Sequence, residues 1–225
     1  MVIEKGRDWG GRGVVVASTP VVDSDAALAD LFSVDRSSHG DLALSGPDVV
    51  ALLPHSGATK DPRAASGGLA RTVGARGTQD AILGQERAIL PIDLGVATFD
   101  PGSDDQREVV IAASLVICSR LWSGPIQGAM NAAFLGDWNV APGGHPNDGR
   151  FDVIEAQLTL SDRFKARTRL PSGSHIPHPN ISIRRLKAAE FVVGRSASVW
   201  IDGRPYGRAD KVELAVFPDA VSLAI

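Results

Sequence analysis

The chain has 225 residues, of which 44% are hydrophobic and 22% charged, with 24 glycines, 14 prolines and a formal charge of −3. This is the composition of a globular protein of about one and a half average domains, which excludes a disulfide-stapled mini-protein and does not indicate a nucleic-acid binder. The single cysteine, Cys118, excludes an intramolecular disulfide and a Cys-rich zinc site, and its apolar neighbours predict a buried structural thiol.

The first 13 residues are Gly-rich and irregular. Val14–Val22 reads as a strand, with Pro20 arguing against its far end. Asp23 is a candidate N-cap for a helix that places Leu28, Leu31 and Phe32 on one face, with Asp25 suited to the positive helix end. Residues 47–54 read as a short buried strand, 56–68 as a loop, and 68–83 as short helices. This alternation predicts a small α/β unit. Ile89–Leu94 is a further strand, and Thr98–Glu108 is an acidic turn, either a linker or a hairpin loop.

From Val109 onward strands dominate. They are expected at 109–118, 127–134, 151–158, 181–186, 191–193, 198–201, 211–217 and 220–225, with a helix over 160–170 capped by Ser161. Asp202-Gly203 supplies the φ > 0 residues of a tight hairpin turn. Short strands with turns between them predict a sandwich or a partly closed barrel. The fold class is therefore α+β, with a boundary expected between residues 1–97 and 98–225.

Charge is uneven: residues 1–149 carry a balance of −7 and residues 150–225 one of +4. Arg163, Lys165, Arg167 and Arg169 form a basic patch, either a solvated helix face or a lipid-headgroup patch. With 18 Arg against 5 Lys the chain fits a GC-rich bacterial genome. No leader and no membrane-length apolar run is read, so a cytoplasmic protein without a transmembrane segment is expected.

The order of motifs in the second half resembles the bacterial diacylglycerol kinase and lipid kinase family, which is related to NAD kinase. The residues that carry the resemblance are Met130–Gly136, Ala141-Pro142, Asn147–Val153, His175–Pro179, Trp200–Gly203 and Phe217–Leu223. Upstream, Gly68–Gly74 and Pro91–Gly95 add to it. The resemblance implies a reduced α/β N-terminal part that binds nucleotide and a β-sandwich-like C-terminal domain, with the active site between them. It also implies Mg²⁺ and ATP as cofactors and a lipid as phosphoryl acceptor.

The departures bear on that chemistry. The family's Gly-Gly-Asp-Gly-Thr phosphate loop is absent, and its nearest remnants are residues 39–42 and the segment holding Gly57 and Thr59. No P-loop motif replaces it. The family's Asp-Gly-Glu turn reads Asp202-Gly203-Arg204, and a guanidinium has no lone pair with which to accept a proton. Asp202 remains as a candidate acid, with turn formation as its simpler job. By resemblance, a structural Mg²⁺ would sit on Asp148 with the His145 and Arg150 carbonyls, although Asn147 stands where the family has an Asp. His175-x-x-His178 reads as loop structure rather than a metal pair, and Trp122, Trp138 and Trp200 read as packing residues.

The leading expectation is a catalytically degenerate lipid-kinase-like protein that binds a lipid, a nucleotide or a protein partner. The alternatives are an active ATP-dependent lipid kinase with a rearranged site, and a scaffold or homo-oligomer subunit.

Overall fold

A computed structural model describes residues 9–37, 41–54, 59, 61–119 and 122–225. The order begins β1 (Gly11–Val14), β2 (Val21–Val22), α1 (Asp25–Ala29), β3 (Ser33–Arg36), β4 (Leu42–Ser45) and β5 (Val49–Leu52). The strand expected over 14–22 is therefore two short ones. Ser24, not Asp23, caps α1, because its hydroxyl accepts from the Ala27 N–H. Next come α2 (Gly68–Val73), α3 (Gln79–Ile82) and β6 (Glu86–Phe99). β6 runs unbroken through positions 97 and 98. The acidic turn after it is a hairpin loop, since β7 (Arg107–Ile111) pairs back antiparallel to β6.

The second half holds β8 (Ser114–Ser119), β9 (Ile126–Met130), β10 (Phe134–Leu135), β11 (Trp138–Asn139) and β12 (Phe151–Ala156). It continues with α4 (Leu160–Arg169), β13 (Ile181–Leu186), β14 (Ala188–Val192), β15 (Ala197–Ile201), β16 (Arg204–Gly207) and β17 (Lys211–Ala224). Thr159, not Ser161, caps α4 through the Asp162 N–H. The described residues are thus mostly strand with a few short helices, an α+β fold. No helix among them is long and apolar enough to cross a membrane.

Two large sheets organise these elements. The seven-stranded sheet runs β1-β6-β17-β5-β2, with β7 also paired to β6 and β14 to β17. The six-stranded sheet runs β13-β12-β9-β8-β15-β16. β6 and β17 are each 14 residues long, about 45 Å if fully extended. That length lets them serve two cores in succession. Near one end, Leu90, Ile92, Leu94 and Leu223 pack with Leu28, Val50, Leu52 and Leu69 of the N-terminal segment. Toward the other, Ala97, Phe99, Val212 and Leu214 meet Leu115, Ile117, Phe151 and Val199 of the six-stranded sheet.

β17 merges the two strands expected at its position. It is kinked where register shifts between Phe217 and Val221, with Asp219 at φ 53. Pro218 has no N–H for the ladder there. The Asp219 N–H turns instead to the buried Asp93 carboxylate. The single strand expected over 109–118 is likewise interrupted, at Ala112-Ala113, and the cause lies in the candidate site.

Candidate functional site

The Asp-Gly turn between β15 and β16 has φ 49 at Asp202 and φ 84 at Gly203, as a tight hairpin demands. The Asp202 side chain does more than make the turn. Its Oδ2 accepts from the Ala112 N–H at 2.7 Å, and its Oδ1 accepts from the Ala113 and Ser114 N–H groups at 2.8 Å each. Three backbone donors thus leave the ladder for one carboxylate, which separates β7 from β8. Only 2% of Asp202 is exposed.

Asp25 is buried to the same degree. Its carboxylate receives the Gly68 N–H at 2.8 Å and the Leu69 N–H at 3.1 Å, so it closes the start of α2. It also stands in the first turn of α1, as expected. Burial pushes Asp25 up to about 6. Burial, with the Asp25 charge added to it, pushes Asp202 up to about 7, against the pull of its three N–H bonds. Two acids from opposite halves of the chain are therefore both buried, and the charge of Asp25 adds to the rise at Asp202.

The packing around the pair is close. A Cβ on Gly203 would lie 2.8 Å from the Ala65 carbonyl oxygen, and one on Gly68 would lie 2.2 Å from that of Phe134. Arg204 donates to Asp30, beyond the end of α1, at 2.7 Å. Its guanidinium is thereby tied to a carboxylate at the surface. The hairpin is held by the N-terminal segment from both sides, and neither Asp202 nor Arg204 presents a proton acceptor to solvent.

Of the two residues expected to hold phosphates, Gly57 lies outside the described residues, as do residues 39 and 40. The Thr59 hydroxyl accepts from the Asp61 N–H and donates to the Asp61 carbonyl, closing a local turn. Asp61 in turn grips Arg63 at 2.6 Å, and Arg63 lies over the rings of Trp122 and Trp200.

At the expected metal turn, Asp148 accepts from the Arg150 N–H at 3.0 Å and lies 3.9 Å from Arg185. His145 uses Nδ1 to accept from the Asn147 N–H and sets its ring edge-on to Trp9. Among the described residues no three His, Cys, Asp or Glu side chains are grouped so as to hold a metal ion. The turn's anchor is Asp93, which sequence reasoning passed over. It accepts from the Gly149 and Asp219 N–H groups, and burial pushes it up to about 6. Its signal was an acid set between Ile92 and Leu94 in a strand that is otherwise apolar. Asn131 completes the junction by donating to the Asp93 and Ala112 carbonyls.

A second feature was not anticipated. An apolar cavity of about 110 Å³ opens on the face of the six-stranded sheet beneath α4, lined among others by Trp122, Met130, Trp138, Ala166, Leu170 and His175. Trp122 and Trp138, expected as packing residues, meet edge to face at 5.9 Å in its wall. His175 is 7% exposed, and its Nδ1 has no hydrogen-bond partner among the described residues. Burial pulls its pKa below the usual histidine value, partly offset by the Val140 backbone. The cavity surface itself is wholly apolar, so this nitrogen is covered rather than turned into the cavity. His178 accepts from the Asn180 N–H, in keeping with a loop role.

No family model and no curated protein matches the chain. Solved structures similar to it include a diacylglycerol kinase from Bacillus anthracis str. Sterne, at 12% identity and TM-score 0.48, covering 78% of this chain and 66% of that one. Two putative diacylglycerol kinases from the same organism are similar at 11% identity. One has TM-score 0.43 over 78% of this chain and 68% of that one; the other has 0.35 over 59% and 39%. The chain thus spans just under two thirds of the first structure's length. All three bear the name of the family that the motif order resembles, and nothing in the chemistry of the site follows from these likenesses.

Proposed function

We propose that the chain is a lipid-kinase-like protein that binds an apolar ligand and has lost phosphoryl transfer. The observation that carries this reading is the wholly apolar cavity under α4, walled by Trp122, Trp138 and Leu170 among others. An apolar cavity of this size stays dry and takes small apolar groups. The ligand class is therefore a small apolar group, such as the end of one acyl chain of diacylglycerol, the substrate implied by resemblance.

Loss of catalysis is supported by the Asp202 turn. General-base catalysis needs a carboxylate within hydrogen-bond reach of the substrate hydroxyl. Asp202 is enclosed and occupied by three N–H groups, and Arg204 stands in place of the family's Glu.

The raised pKa of Asp202 favours a second reading, an active kinase in which an opening of the hairpin frees that acid. ATP-consumption assays with diacylglycerol and related lipids separate the two. No turnover is expected, and robust turnover abolished by Asp202→Asn would sink the degenerate reading. The ligand is tested apart from turnover by titrating cyclohexanol and dodecanol while following the emission of Trp122 and Trp138. Saturable change is expected, abolished in Ala166→Leu, which fills the cavity. An identical response in Ala166→Leu would overturn the cavity assignment.

A further inference from the structure

We propose that the edge of β1 pairs with the same strand of a second copy of the chain, joining two seven-stranded sheets into one. This pairing needs neither a ligand in the cavity nor any turnover, so it stands apart from the reading above. β1 ends the sheet, and among the described residues its outer side meets no other strand. The hydrogen bonds show which backbone groups face outward. The Val15 N–H donates to the Gln85 carbonyl, toward β6, and the Ala88 carbonyl, opposite Arg12, turns away from β1 to accept from the Ile225 N–H. These groups alternate in direction along a strand. Gly11 and Gly13 therefore face β6, while Arg12 and Val14 present their N–H and C=O groups outward. Such an edge is a template for a further strand. On the same face as the Arg12 side chain, Val14 is 64% exposed, and two positions on Val16 is 57% exposed, among the few large apolar side chains so exposed.

The edge is complementary to itself under a two-fold axis. With the axis at Gly13, antiparallel pairing sets Arg12 of one copy opposite Val14 of the other. Four outward N–H groups then meet four outward carbonyls. Gly13 faces Gly13 at a non-hydrogen-bonded position, where the chains come closest, about 4.5 Å between Cα atoms.

The charges also match. Glu86 stands opposite Val14 on β6 and on the same face. Arg12 of the second copy would lie on the other side of that valine, two strand spacings or about 9.6 Å from Glu86 in the backbone. Arginine and glutamate side chains together span that gap. Within one copy Arg12 already donates to Glu86 at 3.1 Å, and both side chains are largely exposed. The paired strands thus carry a cluster of alternating charge across the axis. An unrelated peptide would supply the backbone groups without this match, which favours a second copy as the partner. Four residues a side make an interface at the low end of the size range, so the dimer is weak and concentration-dependent.

The test is sedimentation equilibrium of the full chain from about 10 μM to about 1 mM, where a monomer–dimer equilibrium is expected. Val14→Pro removes an outward N–H without touching a bond to β6, and should raise the dissociation constant about tenfold or more. Arg12→Glu and Glu86→Arg should each raise it about threefold or more at low salt. Mixed together, those two proteins should associate more tightly than either does alone, because each guanidinium then meets a carboxylate only in the other chain. These positions are at the surface, and unchanged melting temperatures would confirm intact folding.

Disulfide trapping reads the register independently, since Cys118 is buried. A Cβ at position 13 would lie 3.2 Å from the Ile89 side chain, which can shift. Gly13→Cys should form a linked dimer under mild oxidation, and Arg12→Cys, which faces Val14, should do so about tenfold more slowly. A monomer throughout the concentration range, as when another segment or another protein takes this edge, would overturn the proposal. So would a mixture no tighter than its components, or equal trapping at positions 12 and 13.

Discussion

Gly68→Ala is the substitution that most directly probes the junction around the acid pair. The added methyl would stand 2.2 Å from the Phe134 carbonyl oxygen, about 1 Å inside ordinary contact. That oxygen belongs to β10, which is paired to β11 and cannot yield as a flexible side chain would. Either β10 moves or the start of α2 moves. If α2 moves, the Gly68 and Leu69 N–H groups are drawn off the Asp25 carboxylate. Overpacking of this kind costs about 1–3 kcal/mol. Weakening a hydrogen bond to a charged group costs about 1.5–3 kcal/mol more.

A combined loss of about 2.5–6 kcal/mol lowers the melting temperature of a chain this size by roughly 2–4 °C per kcal/mol, or about 5–24 °C in all. Thermal unfolding followed by far-UV circular dichroism gives the number. Gly194→Ala is the control, because its Cβ would meet nothing within 4 Å. A Gly68→Ala protein melting as the Gly194→Ala protein does would refute the close approach of α2 to β10, and with it the enclosure of the acids.

Stability should fall as pH rises through about 6 to 7. Asp25 and Asp202 hold protons more tightly folded than unfolded, so their contribution is full below the ordinary carboxylate pKa and is lost through their raised values. Urea titrations at pH 5, 6, 7 and 8 should show the decline, and a flat profile would contradict the pairing. Asp25→Asn should move the remaining transition to lower pH, since the Asp25 charge helps to raise Asp202. Asp61, held below the usual carboxylate range by its hydrogen bond to Arg63, acts in the opposite sense and only on the acid side. Arg204→Glu should not create a lipid kinase, because it sets a carboxylate against Asp30 and leaves Asp202 enclosed; ATP consumption above background would refute this. Cys118, buried and with its thiol pushed up to about 11, should react with a thiol reagent only after denaturation, and stoichiometric labelling of the native protein would count against its burial.

Much of the local structure was legible in residue types. Alternating and continuous apolar runs marked β5, β8, β13 and β15, and Asp202-Gly203 marked its hairpin, because pleat and turn geometry are local properties. Boundaries were less legible wherever a distant group intervened. The break at Ala112-Ala113 depends on a carboxylate about ninety positions away in the chain. Asp25 was legible as a helix-end acid because that role is local, whereas the partners of its carboxylate lie more than forty residues downstream. The segment after Thr98 could not be read as linker or hairpin until β7 was seen to return along β6.

The sequence by itself determined that strands would dominate the second half, that Cys118 would be buried, and that Arg204 cannot accept a proton. Each follows from what a side chain is. Only the tertiary structure decided that Asp202 is enclosed by the Ala112–Ser114 backbone, that Arg204 is tied to Asp30, and that Trp122, Trp138 and His175 line a cavity beneath α4. Each depends on which distant backbone donors and side chains the sheets bring together, and a one-dimensional pattern holds no record of those distances.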